Sequence, residues 1–418
     1  MASRLKVLVS AFYCRPNHGS ENGVGWNWVK QIARNHDVWV MTLESNRSFI
    51  EEEIAKSPMP NVHWVYFDLA SWLRQESKFF YYPSPLRFPY YYLWQIRTFF
   101  MGRKLVKQID FDVSHHVTIC RYWMPSFIAM LPMPMVWGPV GGGELLPKSF
   151  YDLLRTKDKV VEQLRKLAMR LAWFDPFVRM TGNRSKIALG ATSETTKGMA
   201  GFGAKRTEVL SQVGISDSEM ERLSNVPLPT NDDAFRFVSI GRIIHWKGFD
   251  MGLKAFAKMV KDYPNAEYWF IGDGDGRANL EALAQELGVA DKIKLWGEVS
   301  RDRVWELLAD SHVLVHPSLR DSGGMVVSEA MGAGRPVICL DAGGPAYQVT
   351  DETGYKVATD SPEQAIDDMS KAMLEIATNA DMFQQKSDAS RVRAIGNFSW
   401  QSKGDKIDTV YHDIIKSP

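Results

Sequence analysis

The chain has 418 residues but only three cysteines, Cys14, Cys120 and Cys339, which lie far apart with no metal-like spacing. An odd, sparse set makes a poor disulfide framework and points to a reducing compartment, with the thiols buried as small apolar residues. Net charge is also missing: 50 Lys and Arg stand against 49 Asp and Glu. No global field then favours nucleic acid, and any anionic ligand has to be held by a local site. Long hydrophobic runs are absent as well. The N-terminal MASRLKVLVSAFYC gives way to the polar RPNHGSENG too soon for a signal peptide. Nothing later approaches the ~18 apolar residues of a membrane span. These absences predict a cytoplasmic protein, one that touches the inner membrane face at most.

What is present is a repeated strand and helix rhythm. LKVLVSAF, then the helical WNWVKQIA, then VWVMTL read as a βαβ unit, and VHWVYF, FDVSHHV, MPMVWGPV, KIALGAT and TEVLSQV continue the series. NVPLPTNDD (225–233) is a Pro- and Asp-rich linker. Beyond it the rhythm restarts with FRFVSIG, AEYWFIG, KIKLWG, SHVLVHP and RPVICL, with helices beginning near Asp250, Ala278 and Arg301. Strands alternating with helices argue for parallel sheets covered on both faces. The expected fold class is therefore α/β, with two Rossmann-like doubly wound domains and an interdomain cleft that takes ligands at the carboxyl ends of the strands. The expected domains are 1–225, completed by a C-terminal helix over 400–418, and 226–399.

The second half carries the chemistry. SIGRIIHWKGFD puts Arg242 and Lys247 in a loop between strand and helix, where two cations can neutralise a diphosphate. In YWFIGDGDGRANL the glycines at 272, 274 and 276 miss the dinucleotide fingerprint, because Arg277 stands where its third glycine falls. Asp273 and Asp275 read as turn residues rather than a metal pair, so no metal is assigned. In HPSLRDSGGMVVSEAMGAGRPVI, Gly323 and Gly324 precede a helix start, a ready anion site. Glu329 falls within that helix among Val326, Ala330 and Ala333, on a face where a carboxylate needs a donor, and the hydroxyls of a ribose are one.

In the order of its motifs, the run from Phe235 to about Val357 resembles the nucleotide-sugar-binding half of glycosyltransferase family 4, of the retaining GT-B type: GRIIHWKGFD, WFIGDGDGR, KIKLWGEV, HPSLRDSGGMVVSEAMGAGRPVI and DAGGPAYQV. SAFYCRPNHGSENGVGWNW, FDVSHHV, LGATSETT and the C-terminal FSWQSKGDKIDTVYHDII resemble it more weakly. The resemblance implies a metal-independent hexosyltransferase without a cofactor, using a nucleotide-diphosphate-sugar, UDP-linked by preference, as co-substrate. It implies that Arg242 and Lys247 hold the donor diphosphate. Asp321 and Glu329 then match the ends of the family's E-x7-E motif, Glu329 binding ribose and Asp321 contacting the sugar from the loop rim. The amides near Gly324, Met325 and Val326 would face sugar and phosphates, Gly297 to Val299 would border the base, and Gly19 would lie under the diphosphate.

The family usually has Glu at 321, so the shorter Asp requires a closer sugar hydroxyl or a bridging water. Where many members carry a His, this chain has Gly138, Pro139 and the glycines 141–143. His116, Gly141 and Glu144 are the candidates for the sugar or acceptor side, with His115 and His116 also readable as buried structural histidines. The resemblance commits Glu329 to ribose and leaves the rim Asp321 as the one evident nucleophile, which favours front-face attack by the acceptor hydroxyl over a covalent intermediate. FFYYPSPLRFPYYYLWQIRTFFMGRKL (79–105) and VVEQLRKLAMRLAWFDPFVRM (160–180) interleave aromatics with basic residues, suiting a membrane interface or a lipid-linked acceptor; a buried aromatic cap is the competing reading. The rival functions are an epimerase or hydrolase acting on nucleotide sugars, and a donor-binding scaffold without turnover.

Overall fold

A computed structural model describes residues 4–18, 20–69, 87–229 and 234–416. Gly19, residues 70–86, which include 79–86 of the aromatic stretch, and linker residues 230–233 lie outside the described residues. Two compact units form: Met1–Gly143 with Gln163–Gln212 and Trp400–Pro418, and Glu144–Glu162 with Val213–Ser399.

In the first unit, β1 (Lys6–Ala11), β2 (Asp37–Leu43), β3 (Val62–Phe67), β4 (Val113–Thr118), β5 (Met135–Val140), β6 (Ser185–Gly190) and β7 (Thr207–Val209) make one sheet in the order β3-β2-β1-β4-β5-β6-β7. All its pairings are parallel. The apolar sequences of β1 and of most of β2, β5 and β6 fit central strands buried on both faces, whereas β3 and β7, at the two ends of the order, are partly exposed. Among the described residues the α-helices are α1 (Ser20–Ala33), α2 (Arg47–Lys56), α3 (Arg87–Val106), α4 (Thr156–Ala172), α5 (Pro176–Arg184), α6 (Ser193–Gly201), α7 (Asp217–Ser224), α8 (Phe249–Met259), α9 (Arg277–Glu286), α10 (Arg301–Ala309), α11 (Met325–Gly332), α12 (Gly343–Gln348), α13 (Pro362–Thr378), α14 (Ala380–Phe398) and α15 (Trp400–Lys416).

The second unit has β8 (Phe235–Ile240), β9 (Ala266–Ile271), β10 (Ile293–Gly297), β11 (Val313–His316), β12 (Val337–Leu340) and β13 (Gly354–Val357), again all parallel, in the order β10-β9-β8-β11-β12-β13. The order reverses between β8 and β11, so the loops after these two strands flank the switch point where a doubly wound sheet takes its ligand. Those are the loops of Lys247 and Asp321. Leu319 N donates to Trp246 O at 2.8 Å, which stitches the two together. Gly248, at φ +67°, is needed there because a Cβ would lie 2.2 Å from Pro317 O.

The unit boundary falls earlier than the linker suggests, at Gln212/Val213. The reason is packing: Met220 and Leu223 of α7 are buried in the second unit's core, and Ile215 N donates to Phe398 O at 2.8 Å. Arg335 is a further tie. It is fully buried and donates to the carbonyls of Leu308, Ser311, Ala309, Ala333 and Pro227, which fixes the end of α10, the end of α11 and the linker together.

His115, His116 and His312 are buried, and burial is the main cause that pushes each pKa down to about 4, aided for His312 by the charges of Arg236 and Arg335. Above the ordinary value of 6.5 neither folded nor unfolded chain protonates them, so they are neutral in their effect. Between 6.5 and 4 the unfolded chain binds protons that the native fold refuses, and stability falls with pH by up to about 1.4 kcal/mol per unit for each histidine. Urea midpoints should therefore drop steeply from pH 7 to pH 5, and a flat profile over that window would contradict neutral, buried histidines.

Candidate functional site

The loop after β8 carries both expected cations. Arg242 is exposed, and among the described residues no ion pair holds its guanidinium. Lys247 is mostly buried, its side chain 18% exposed, and its Nζ lies 2.7 Å from Asp321 Oδ2. On the loop after β11, Asp321 is not a free rim carboxylate. Its Oδ1 accepts from the amides of Gly323 at 3.2 Å and Gly324 at 3.0 Å, and its Oδ2 also meets His316 Nε2 at 3.3 Å. Burial pushes the Asp321 carboxyl up, but the His316 hydrogen bond and the Lys247 charge outweigh it and hold the group well below the usual carboxylate range. The shorter side chain explains this arrangement, because an Asp closes onto the amides two and three residues ahead as a turn cap. Beyond the sugar contact expected of it, Asp321 therefore builds the loop itself.

The same bonds change which amides serve an anion. Gly323 and Gly324 spend theirs on Asp321, so the N-terminus of α11 is left to Met325 and Val326, whose amides precede the helix's own hydrogen bonds. Gly324 caps the helix in the left-handed region at φ +54°. Gln348 of α12 completes the mould, its Nε2 donating to Gly323 O at 2.5 Å while its Oε1 accepts from Ser328 Oγ at 2.9 Å.

Glu329 lies on the buried side of α11, as its apolar neighbours predict, and is 8% exposed. Burial raises its pKa, with partial relief from Arg301, whose Nη2 lies 2.8 Å from its Oε1. Arg301 also pairs with Glu219 at 2.9 Å and covers the Trp305 ring at 5.0 Å. Gly297, at φ +71°, accepts from Gly272 N at 2.8 Å, bringing the loops after β9 and β10 side by side. The GDGDG glycines have a packing reason: a Cβ on Gly274 or Gly276 would meet Ile243 O at 2.4 or 3.0 Å. Asp273 caps its own turn at Gly274 N, and Asp275 pairs with Lys157 at 3.2 Å.

Three first-half candidates, His116, Gly141 and Glu144, make bonds inside the protein. His116 is fully buried, with Nε2 on Ile119 O at 3.2 Å, and His115 reaches Tyr411 and Gly138 O, so both are structural. Gly141 spends both backbone groups, on Cys120 O and Tyr122 N. Glu144 is 2% exposed and accepts from Ser322 Oγ, inside the second unit and against the Asp321 loop. His316, Gln348, Arg301 and Ser322 were not foreseen as site residues. His316 was visible in VLVHPS as a polar side chain ending a buried strand, whereas Gln348 and Ser322 gave no signal in sequence.

Two parallel Rossmann-like sheets, the second carrying paired cations and a helix N-terminus at its switch point, define the GT-B fold class. Solved structures agree in fold: a glycosyltransferase from Rickettsia africae ESF-5 (13% identity, all of both chains covered, TM-score 0.63) and Anabaena Alr3699/HepE in complex with UDP (15% identity, 98% of this chain and 100% of that one, TM-score 0.61). Residues 222–387 match the family model Glycosyl transferases group 1. It is 34% identical over 131 residues to the lipopolysaccharide core biosynthesis glycosyltransferase LpsD of Rhizobium meliloti, covering 31% of this chain and 36% of the relative. It is also 24% identical over 222 residues to the phosphatidylinositol N-acetylglucosaminyltransferase gpi3 subunit of Schizosaccharomyces pombe, covering 53% and 46%. The matches thus span less than half the length of these relatives.

Proposed function

We propose that the protein is a retaining glycosyltransferase that moves a sugar from a nucleotide-diphosphate-sugar, UDP-linked by preference, to a hydroxyl acceptor in polysaccharide or glycolipid assembly. The observation that carries this reading is the convergence of Arg242, Lys247 and the first-turn amides of α11 at the switch point of the second sheet. Cleaving the anomeric C–O bond leaves its electron pair on the diphosphate, and these groups are stationed where that charge develops. The acceptor oxygen forms the new bond on the same face and passes its proton to the departing phosphate oxygen. Asp321 is a poor nucleophile for the alternative double displacement, because Lys247, His316 and two amides already claim its carboxylate. The setting in glycan assembly is supported by the name of a relative, LpsD, a lipopolysaccharide core biosynthesis glycosyltransferase. Proton NMR of the product formed with an alcohol acceptor tests the reading. Retained anomeric configuration with acceptor-dependent release of nucleoside diphosphate supports it; inversion, or release indifferent to acceptor, refutes it.

Peripheral contact with an anionic membrane belongs to the same proposal, and α4 supports it. This helix is inside out: its only acids, Asp158 and Glu162, are buried, while Val160, Val161, Leu164, Leu167 and Leu171 are each at least half exposed. Phe174, just beyond it, is 83% exposed, and the basic residues Lys157, Arg165, Lys166 and Arg170 frame the apolar stripe. An outward apolar stripe with basic residues along its edges suits a headgroup boundary. The aromatic stretch contributes less than its composition suggests, since Tyr90, Tyr91 and Trp94 of α3 lie in the first unit's core. The protein is expected to co-sediment with phosphatidylglycerol vesicles at low salt and to be released at high salt, and Leu164→Ser with Leu167→Ser should abolish binding. Recovery that ignores both salt and substitution would exclude this surface.

A further inference from the structure

The segment Glu144–Glu162 reaches the donor loops at three points. Glu144 accepts from Ser322 Oγ at 2.5 Å, Asp158 lies 3.2 Å from His245 Nδ1, and Glu162 pairs with Arg320. Ser322 and Arg320 flank Asp321, and His245 stands two residues before Lys247. The segment is anchored rather than laid on the surface, because Leu146, Phe150 and Leu154 are buried in the second unit's core. Each acid is itself buried, at 2%, 9% and 2% exposure, and the hydrogen bonds of Glu144 and Glu162 are made largely out of water, where such bonds are strong and geometrically demanding.

We propose that Glu144 is a positioning residue of the donor site, one that acts through Ser322 to fix the D-S-G-G turn and so aim the N-terminus of α11 at the donor diphosphate. The proposal rests on the donor-site reading above and assigns Glu144 a place that reading does not contain. Other side chains already hold the rest of the turn: Asp321 is gripped by Lys247 and His316, and Gly323 O by Gln348. Ser322 is the remaining side chain of the turn, and Glu144 is its partner. Without that bond the turn can pivot between its neighbours, and the amides of Met325 and Val326 lose their aim. The geometry also distinguishes this role from acid/base catalysis at the sugar. A positioning carboxylate needs only an acceptor oxygen, which a Gln side chain still offers, whereas an acid or base needs the titrating group itself.

The test compares Glu144→Ala, Glu144→Gln and Ser322→Ala, with UDP, GDP and ADP as probes in titration calorimetry and the matching nucleotide sugars in steady-state kinetics. Glu144→Ala and Ser322→Ala are each expected to weaken binding of the nucleotide the wild type prefers by on the order of tenfold, and the double variant by no more than either. Glu144→Gln should keep most of the affinity and most of kcat. Ser322→Ala removes one hydroxyl from a loop and keeps the proposal testable should Glu144→Ala fail to fold. Wild-type affinity in Ser322→Ala overturns the assignment, as does a Gln variant as impaired in kcat as the Ala variant. A wild-type protein that binds none of the three nucleotides overturns the donor-site reading itself, and the positioning role with it.

Discussion

Replacing Lys247 by alanine is expected to lower kcat/KM for the sugar donor about a thousandfold, the scale on which losing a preorganised charge at a developing anion is felt. Lys247 is well placed for that effect, being mostly withdrawn from water at the carboxyl end of β8, so its charge is weakly screened. The substitution also strands Asp321, whose carboxylate would keep His316 and two amides but lose the Lys247 ammonium. A stability loss of about 2 kcal/mol should accompany the kinetic one, because removing one member of a largely buried pair leaves the other uncompensated. Lys247→Arg separates the two effects. It should restore most of the stability yet only part of kcat/KM, since a planar guanidinium does not reproduce a compact ammonium. Exposed Arg242 is expected to matter for kcat/KM without this stability cost. A Lys247→Ala protein within threefold of wild-type turnover would remove the diphosphate role from this loop.

Asp321 gives the second large effect, and its pattern across substitutions matters more than its size. Asp321→Ala deletes the cap on Gly323 and Gly324 together with the partner of Lys247, so kcat/KM should fall about a hundredfold. Asp321→Asn keeps an oxygen for the two amides while dropping the charge, and should retain about ten times more activity than the Ala variant. A catalytic nucleophile predicts otherwise, because neither variant could then form the covalent intermediate and both would be inactive. Mass spectrometry of the wild type under turnover should show no glycosyl adduct on Asp321. Equal inactivity of Asn and Ala, or an adduct, would return Asp321 to the chemistry.

These two residues also show what was legible in the sequence. Arg242, Lys247 and Glu329 could be placed because their surroundings are local: a strand end, a turn and a helix period fix where each side chain goes within a few residues. The strands of both sheets were legible for the same reason, with β13 the exception, its GYKV too short and too polar to read as a strand. Asp321 was legible as a site residue but not in its role. Its partners come from β11, from the loop after β8 and from its own turn, and only the last is close in sequence. Glu144 was placed near the sugar because it follows three glycines, yet its bond to Ser322 spans 178 positions. One of those glycines has a structural cause of its own, since a Cβ on Gly143 would meet Thr195 Cα at 2.6 Å. For α4 the period of the apolar stripe was visible but not its direction. Outward orientation follows from what Asp158 and Glu162 bind, and His245 and Arg320 lie far along the chain.

The central claim is that the second unit holds a nucleoside diphosphate between the β8 loop and the start of α11. Thermal unfolding in the presence of UDP, GDP and ADP tests it most directly, for ligand at a hundred times its dissociation constant adds about 2.7 kcal/mol to the stability of the unit that binds it. The account predicts a rise in midpoint with one of the three, UDP first, that is lost in Lys247→Ala. No rise with any of them, or a rise that survives Lys247→Ala unchanged, would contradict it.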